Sequence, residues 1–115
     1  MGRITTHVLD TAAGRPAAGL KVILTRLDGV PKVIAEGVTN ADGRCDKPLL
    51  EGAGFASGQY EITFHVGEYF SRSATRPTEP PFLDVVPIRF GVSEDAHYHV
   101  PLLVSPFAYS TYRGS

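Results

Sequence analysis

Residues 97–115 read HYHVPLLVSPFAYSTYRGS. The run predicts two strands, His97 to Val104 and Ala108 to Arg113, joined by a short turn that holds Pro106. Chain ends usually fray. Here the second strand is expected to carry on to Ser115, with Phe107 and Tyr109 anchoring it. His97, His99, Tyr112, Arg113 and a terminal carboxylate fall within this short length, and packing alone does not require such a concentration of proton-transfer and anion-binding groups. Working outward from it, the same short-strand pattern fills the chain. Val85 to Val92 predicts a strand that Pro87 confines to an edge or a bulge. Arg76 to Pro81 holds three prolines and predicts an exposed loop. One short helix fits between Gly67 and Ala74, where the alternation breaks.

Further back, Gly58 to Val66 alternates, with Tyr60, Ile62, Phe64 and Val66 on one side and His65 turned toward solvent. Leu20 to Leu27 predicts a strand with Leu20, Val22 and Leu24 on one face. Asp28-Gly29 turns it into a return strand from Lys32 to Val38. Asn40-Ala41-Asp42-Gly43 makes the next turn, followed by a short strand around Arg44 to Asp46. Gly14-Arg15-Pro16 is read as a loop. Ile4 to Leu9 alternates, with Thr6 and Val8 on one side and Thr5, His7 and Leu9 on the other. About eight strands with at most one helix is the pattern of an all-β sandwich.

Composition narrows the function. A chain of 115 residues is one domain, spanning 1–115, with enough length for a single core. Eleven basic against twelve acidic residues give a net charge of -1, which supplies no electrostatic footprint for nucleic acid. No run reaches the roughly 18 apolar residues that span a bilayer, and the N-terminus does not open on a charged-then-apolar leader. A single cysteine, Cys45, rules out an internal disulfide and suits a reducing compartment. The expectation is a cytoplasmic protein.

The chemistry concentrates on a few residues. His97 and His99 lie two apart in a strand, so both project from one face. That spacing serves a surface pair, two zinc ligands or acid–base work. Zinc needs a third ligand, for which His7 or His65 is available, but no cysteine pair or evident carboxylate joins them. Arg44 follows a turn, a place where arginine is ordinarily solvated. Arg89, between Ile88 and Phe90, reads as an outer-face residue with a possible interface role.

Several motifs then occur in order: THVLD over 6–10, a Gly14-Arg15-Pro16-Ala17 loop, TNADGR over 39–44, HYHVPLL over 97–103, SP-x-x-YST over 105–111 and YRGS over 112–115. Together they resemble the transthyretin-related family, and within it the 5-hydroxyisourate hydrolase branch of purine catabolism, which the terminal tetrapeptide separates from the hormone-carrier branch. The resemblance covers nearly the whole chain. It implies a two-sheet transthyretin-like β-sandwich with one short helix, assembled as a homotetramer from two dimers, with active sites in a central channel. It implies no cofactor and no metal. The family's catalytic and substrate-binding set falls on His7, Arg44, His99 and the tail Tyr112-Arg113-Gly114-Ser115.

The implied substrate is a bicyclic cyclic amide derived from urate, opened by water at a C–N bond. Water is a poor nucleophile at neutral pH, so a neutral histidine must accept its proton, help worth about 10²- to 10⁴-fold. His7 and His99 share that work in this scheme, and spacing does not say which is base and which acid. Arg44 suits the oxyanion, where losing one donor costs about 10²- to 10³-fold. Tyr112, Ser115 and the terminal carboxylate shape the pocket. The rival from another class is a non-enzymatic small-ligand carrier on the same sandwich. A carrier of apolar ligands would want apolar side chains at His7, Arg44, His99 and Tyr112. A sandwich module binding sugar or protein through its loops would leave the polar tail unexplained. Cys45, beside Arg44, reads as a partly buried structural thiol.

Overall fold

The computed structural model describes residues 2–73 and 78–115. The predicted alternation becomes strand wherever one face can be buried. β1 (Arg3–Asp10) buries Ile4, Thr6, Val8 and Asp10 and turns Thr5 and His7 outward. A two-residue strand, β2 (Arg15–Pro16), pairs with β1 where a loop was expected. β3 (Lys21–Arg26) and β4 (Lys32–Val38) form the hairpin around Asp28-Gly29, with a register shift between Leu24 and Thr25. β5 (Leu50–Glu51) is a second short strand, which has no periodicity to announce it. β6 (Gly58–His65) leads directly into the one α-helix among the described residues, α1 (Val66–Ser71). β7 (Val85–Val92), β8 (His97–Val104) and β9 (Tyr109–Thr111) complete the chain, making nine strands among the described residues. Of the loop predicted over 76–81, residues 76 and 77 lie outside the described residues, and 78–81 carry neither helix nor strand.

The strands form two sheets, one ordered β2-β1-β8-β9 with β5 also on β1, the other ordered β4-β3-β6-β7. Their inner faces meet in one core: Leu20, Val22 and Leu24 from β3 and its approach, Tyr60, Ile62 and Phe64 from β6, and Val100, Leu102 and Val104 from β8. This is an all-β sandwich with one short helix. Pro87 sits on β7, which among the described residues pairs only with β6, so its missing N–H costs no ladder bond on the open side.

Two buried polar groups tie β1 to its neighbours. Asp10, 2% exposed, accepts from the backbone N–H groups of Ala12 and Ala13 at 3.0 and 2.9 Å and from the Tyr69 hydroxyl at 2.7 Å. Burial, aided by this carboxylate, pushes the Tyr69 hydroxyl up to about 12, so it remains a donor and pins α1 to the end of β1. Thr6 donates its hydroxyl to the Val100 carbonyl at 2.7 Å across the β1–β8 seam.

His65 departs from expectation. Its Nε2 is buried and has no hydrogen-bond partner among the described residues. The alternation that would aim it at solvent ends at this residue, where the backbone turns into α1.

Candidate active site

Four neighbouring backbone segments carry the site side by side. β1 and β8 run parallel, with Thr5 opposite His99 and His7 opposite Pro101. Adjacent strands lie about 4.8 Å apart, so Thr5, His7, His97 and His99 share the outer face of this sheet. On the far side of β1, Arg44 makes an isolated antiparallel bridge to His7. On the far side of β8, Gly114 bridges His99, its N–H donating to the His99 carbonyl at 2.8 Å. The result is a half-open cavity of about 480 Å³ whose lining includes His7, Arg44, His99, Tyr112, Gly114 and Ser115.

Each segment has a local reason for its place. Asn40 organises the loop before Arg44: its side-chain carbonyl accepts from the N–H groups of Asp42 and Arg44 at 2.9 and 3.2 Å, and its backbone N–H donates to the Arg44 carbonyl at 2.7 Å. Gly43 then has φ +76°, and a Cβ there would lie 2.4 Å from the Val8 carbonyl oxygen. Only glycine lets the loop close onto β1 and donate Arg44 to the sheet edge. The short strand expected over Arg44 to Asp46 reduces to this one bridge.

The tail follows from Pro101. β9 pairs with β8 through Leu102–Thr111, Leu103–Ser110 and Val104–Tyr109, and the Gly114–His99 bridge continues the same register. Between them lies Pro101, which has no N–H to donate, and its carbonyl accepts the Thr111 hydroxyl at 2.7 Å. The strand predicted over Ala108 to Arg113 therefore shrinks to Tyr109–Thr111. Phe107 and Tyr109, expected as anchors, are 61% and 45% exposed. The turn itself is held by Ser105, whose N–H donates to the Ala108 carbonyl at 2.8 Å.

Period-two alternation also divides the tail. Tyr112 and Gly114 face the cavity, while Arg113 turns to the other side, its guanidinium 4.2 Å from the centre of the Tyr98 ring. Arg113 lines instead a second cavity of about 340 Å³ beside β7. Its expected place beside Tyr112 and Ser115 in the substrate pocket is thus not where the side chain lies. Arg89 sits on the exposed face of β7, its Nε paired with Glu61 at 2.9 Å.

Two of the outer histidines share one partner. Thr5 Oγ1 lies 2.7 Å from His97 Nε2 and 2.8 Å from His99 Nδ1. The ring centroids of His97 and His7 lie 6.0 and 6.5 Å from that of His99. Burial, then Arg44, then the neighbouring His97 and His7, hold His99 below its ordinary value of 6.5. Burial, then Arg3, lower His97 in the same way. At neutral pH both rings are uncharged, so His99 can accept a proton beside a permanently cationic Arg44. Among the described residues no three His, Cys, Asp or Glu side chains converge as a metal site requires, and His65, weighed above as a third ligand, does not line the cavity. Cys45 lines the cavity half-buried, with burial, then Asp46, raising its thiol above 9.0. It is a poor nucleophile there.

Of the residues singled out in the sequence, His7, Arg44, His99, Tyr112, Gly114 and Ser115 line this one cavity. Sequence reasoning passed over Thr5, Asn40 and Pro101. Thr5 was legible as an outer-face residue of the first strand, but its contact with two histidines depends on the β1–β8 pairing across more than 90 residues of chain.

Comparison with known proteins gives this geometry a context. The profile of the HIUase/Transthyretin family matches residues 4–114. A protein of Rhizobium meliloti named 5-hydroxyisourate hydrolase 2 is 60% identical over 116 residues, an alignment spanning 99% of this chain and 97% of that one. The structure of Klebsiella pneumoniae 5-hydroxyisourate hydrolase superposes with a TM-score of 0.82 at 36% identity, covering 100% of both chains. A crystal structure of (S)-allantoin synthase superposes with a TM-score of 0.94 at 50% identity over 99% of this chain, which spans only 44% of that longer protein. With the profile matched from Ile4 to Gly114 and a relative of this identity aligned end to end, the chain belongs to the HIUase/Transthyretin family.

Proposed function

We infer that this protein hydrolyses 5-hydroxyisourate in urate degradation, opening the six-membered ring at its amide-type C–N bond to give 2-oxo-4-hydroxy-4-carboxy-5-ureidoimidazoline. The observation that carries the reading is the convergence of His7, Arg44 and His99, from three separate segments, on one cavity closed by Tyr112, Gly114 and Ser115. Full-length relatives bearing the hydrolase name support it. A carrier of apolar ligands would gain nothing from two histidines and an arginine in its binding face.

In this reading a water held between His7 and His99 attacks the ring carbonyl, and a neutral histidine takes its proton. Arg44 binds the oxyanion of the tetrahedral intermediate with fixed donors, a contribution of about 3–4 kcal/mol for a well-placed group. Collapse breaks the C–N bond, and the departing nitrogen takes the proton back. Tyr112 and Ser115 border the substrate. No cofactor enters the scheme. The protein acts as a single domain, and we place it in the cytoplasm, where its lone thiol stays reduced. No helix among the described residues is long and apolar enough to cross a membrane.

The same reading makes the working form a homotetramer of two dimers. The open edges of β7 and β9 and the exposed Phe107, Tyr109 and Tyr112 support assembly through this side of the molecule.

The test generates 5-hydroxyisourate in place from urate with urate oxidase and follows its decay by ultraviolet absorbance. Strong acceleration by the intact protein, lost by about 10²-fold or more in His99→Ala, is expected. No acceleration by the intact protein would return the carrier reading.

A further inference from the structure

One hydroxyl joins two of the three histidines at the site. Thr5 Oγ1 stands within hydrogen-bond distance of His97 Nε2 and His99 Nδ1, at 2.7 and 2.8 Å, and has no other partner among the described residues. The parallel register puts it there: Thr5 is opposite His99, and Arg3 is opposite His97, so all three side chains fall on one face. A threonine hydroxyl has one hydrogen and two lone pairs. With both rings neutral, the hydroxyl donates to one nitrogen and accepts an N–H from the other.

Which way the pair runs is decided by charge. If Thr5 donated to His99 Nδ1, His99 would carry its hydrogen on Nε2, presenting a second donor to a cavity that already holds the Arg44 guanidinium. The opposite order leaves a lone pair on Nε2, which that cation favours. His97 then takes the Thr5 hydrogen on its Nε2 and keeps its own on Nδ1.

We propose that Thr5 and His97 are positioning residues that hold His99 in the tautomer protonated on Nδ1, leaving Nε2 bare as the acceptor of the water's proton. This deepens the hydrolase reading and rests on it. The step then balances. The water oxygen bonds to the ring carbonyl carbon while one of its protons moves to His99 Nε2. The resulting imidazolium keeps its Nδ1–H on Thr5, whose own O–H remains on neutral His97, a chain in which each bond polarises the next. The Nε2 proton passes to the departing ring nitrogen as the C–N bond breaks, and His99, Thr5 and His97 end as they began. The charged and titratable groups lining the cavity with His99 are Arg44, Cys45, Asp46 and Lys47 from the loop, Arg3 and His7 from β1, His97 from β8, and Tyr112 and Ser115 from the tail. Burial and three of these neighbours keep the ring neutral at working pH, which the proton-accepting role requires.

Two measurements test this. In the free wild-type protein, with histidine labelled with nitrogen-15, nuclear magnetic resonance should find His99 protonated on Nδ1 and bare on Nε2 near neutral pH. Thr5→Val keeps the shape and removes the hydroxyl. It should lower kcat by about 10- to 10²-fold, the size of effect seen when the hydrogen-bond partner behind a metal-bound imidazole is removed, with KM little changed. The acidic limb of its kcat/KM profile should move to lower pH, because the imidazolium loses an acceptor. Thr5→Ser should restore both. His99 found protonated on Nε2, or a Thr5→Val protein with unaltered kcat and pH profile, overturns the proposal. The tautomer is read without substrate, so a wild-type protein inactive on 5-hydroxyisourate would count against the hydrolase reading alone.

Discussion

His99 shows how much at this site is decided residue by residue. Its ring is held neutral by burial first, then by Arg44, His97 and His7. A depressed histidine value has a thermodynamic consequence. The unfolded chain binds this proton more readily than the folded one, so stability rises with pH across the window between the two values. The full stability contribution is present above about 6.5, the unfolded value, and is lost as pH falls through the folded value. His97, lowered by burial and Arg3, adds to the same trend. Denaturant midpoints taken from pH 8 down to pH 5 should fall, and His99→Gln should flatten the slope. An unchanged slope in that variant would mean the ring is not desolvated in solution. Thr5, by contrast, carries no charge and gives no sign of its role until its two ring partners are placed around it.

At the scale of elements, the site is a product of how the edges of one sheet are finished. β1 has β8 on one side, while its other edge is covered in pieces by β5, the Arg44 bridge and β2. β8 is finished by β9 and, after the gap at Pro101, by the Gly114 bridge. Both bridges need glycine-sized approaches. A Cβ on Gly114 would lie 2.6 Å from His99 Cδ2, closer than real contacts allow, so Gly114→Ala must push the histidine ring or the tail aside. Since the residue lies outside the core, we expect thermal stability to change by less than about 1 kcal/mol. Turnover should drop at least tenfold, because an ångström of misplacement is costly at a reacting centre. Calorimetry and steady-state rates on the same preparation separate the two effects. A fully active Gly114→Ala protein would show that the tail can move without disturbing His99. Arg113, on the opposite face, belongs to this element as a clasp: its cation–π contact with Tyr98 contributes about 0.5–2 kcal/mol to holding the tail in place.

At the scale of the molecule, the apolar run of β8 serves the protomer's own interior. Val100, Leu102 and Val104 are 6%, 0% and 0% exposed and meet β3 and β6 in the core. Leu102→Ala should therefore destabilise each protomer by about 2–5 kcal/mol, the range for deleting a buried leucine. Chemical denaturation would measure it, while light scattering under native conditions should give the same mass as the unmutated protein. Dissociation with undiminished protomer stability would be the opposite result. Exposed aromatic surface lies instead beside β7 and β9, where Phe82 and Phe107, 68% and 61% exposed, pack ring against ring.

What the sequence determined by itself is whatever depends on local periodicity and turn chemistry: the alternation of β1, β3, β6 and β8, the Asp28-Gly29 hairpin, the edge position of β7 around Pro87, and, through ordered motifs, the histidines, arginine and tail that line one cavity. Two-residue strands such as β2 and β5 have no period to read, so they existed only once β1 offered an edge to pair with. The same alternation that placed Tyr112 and Gly114 in the cavity turned Arg113 out of it, a consequence legible in principle but masked by treating the tail as one unit. Tertiary structure alone decided that Thr5 meets His97 and His99, that His65 is covered, and that Asn40 and Gly43 carry Arg44 to His7. Those contacts join residues far apart in the chain, and a hydrogen bond or a desolvated ring nitrogen exists only when the partner strand is in register beside it.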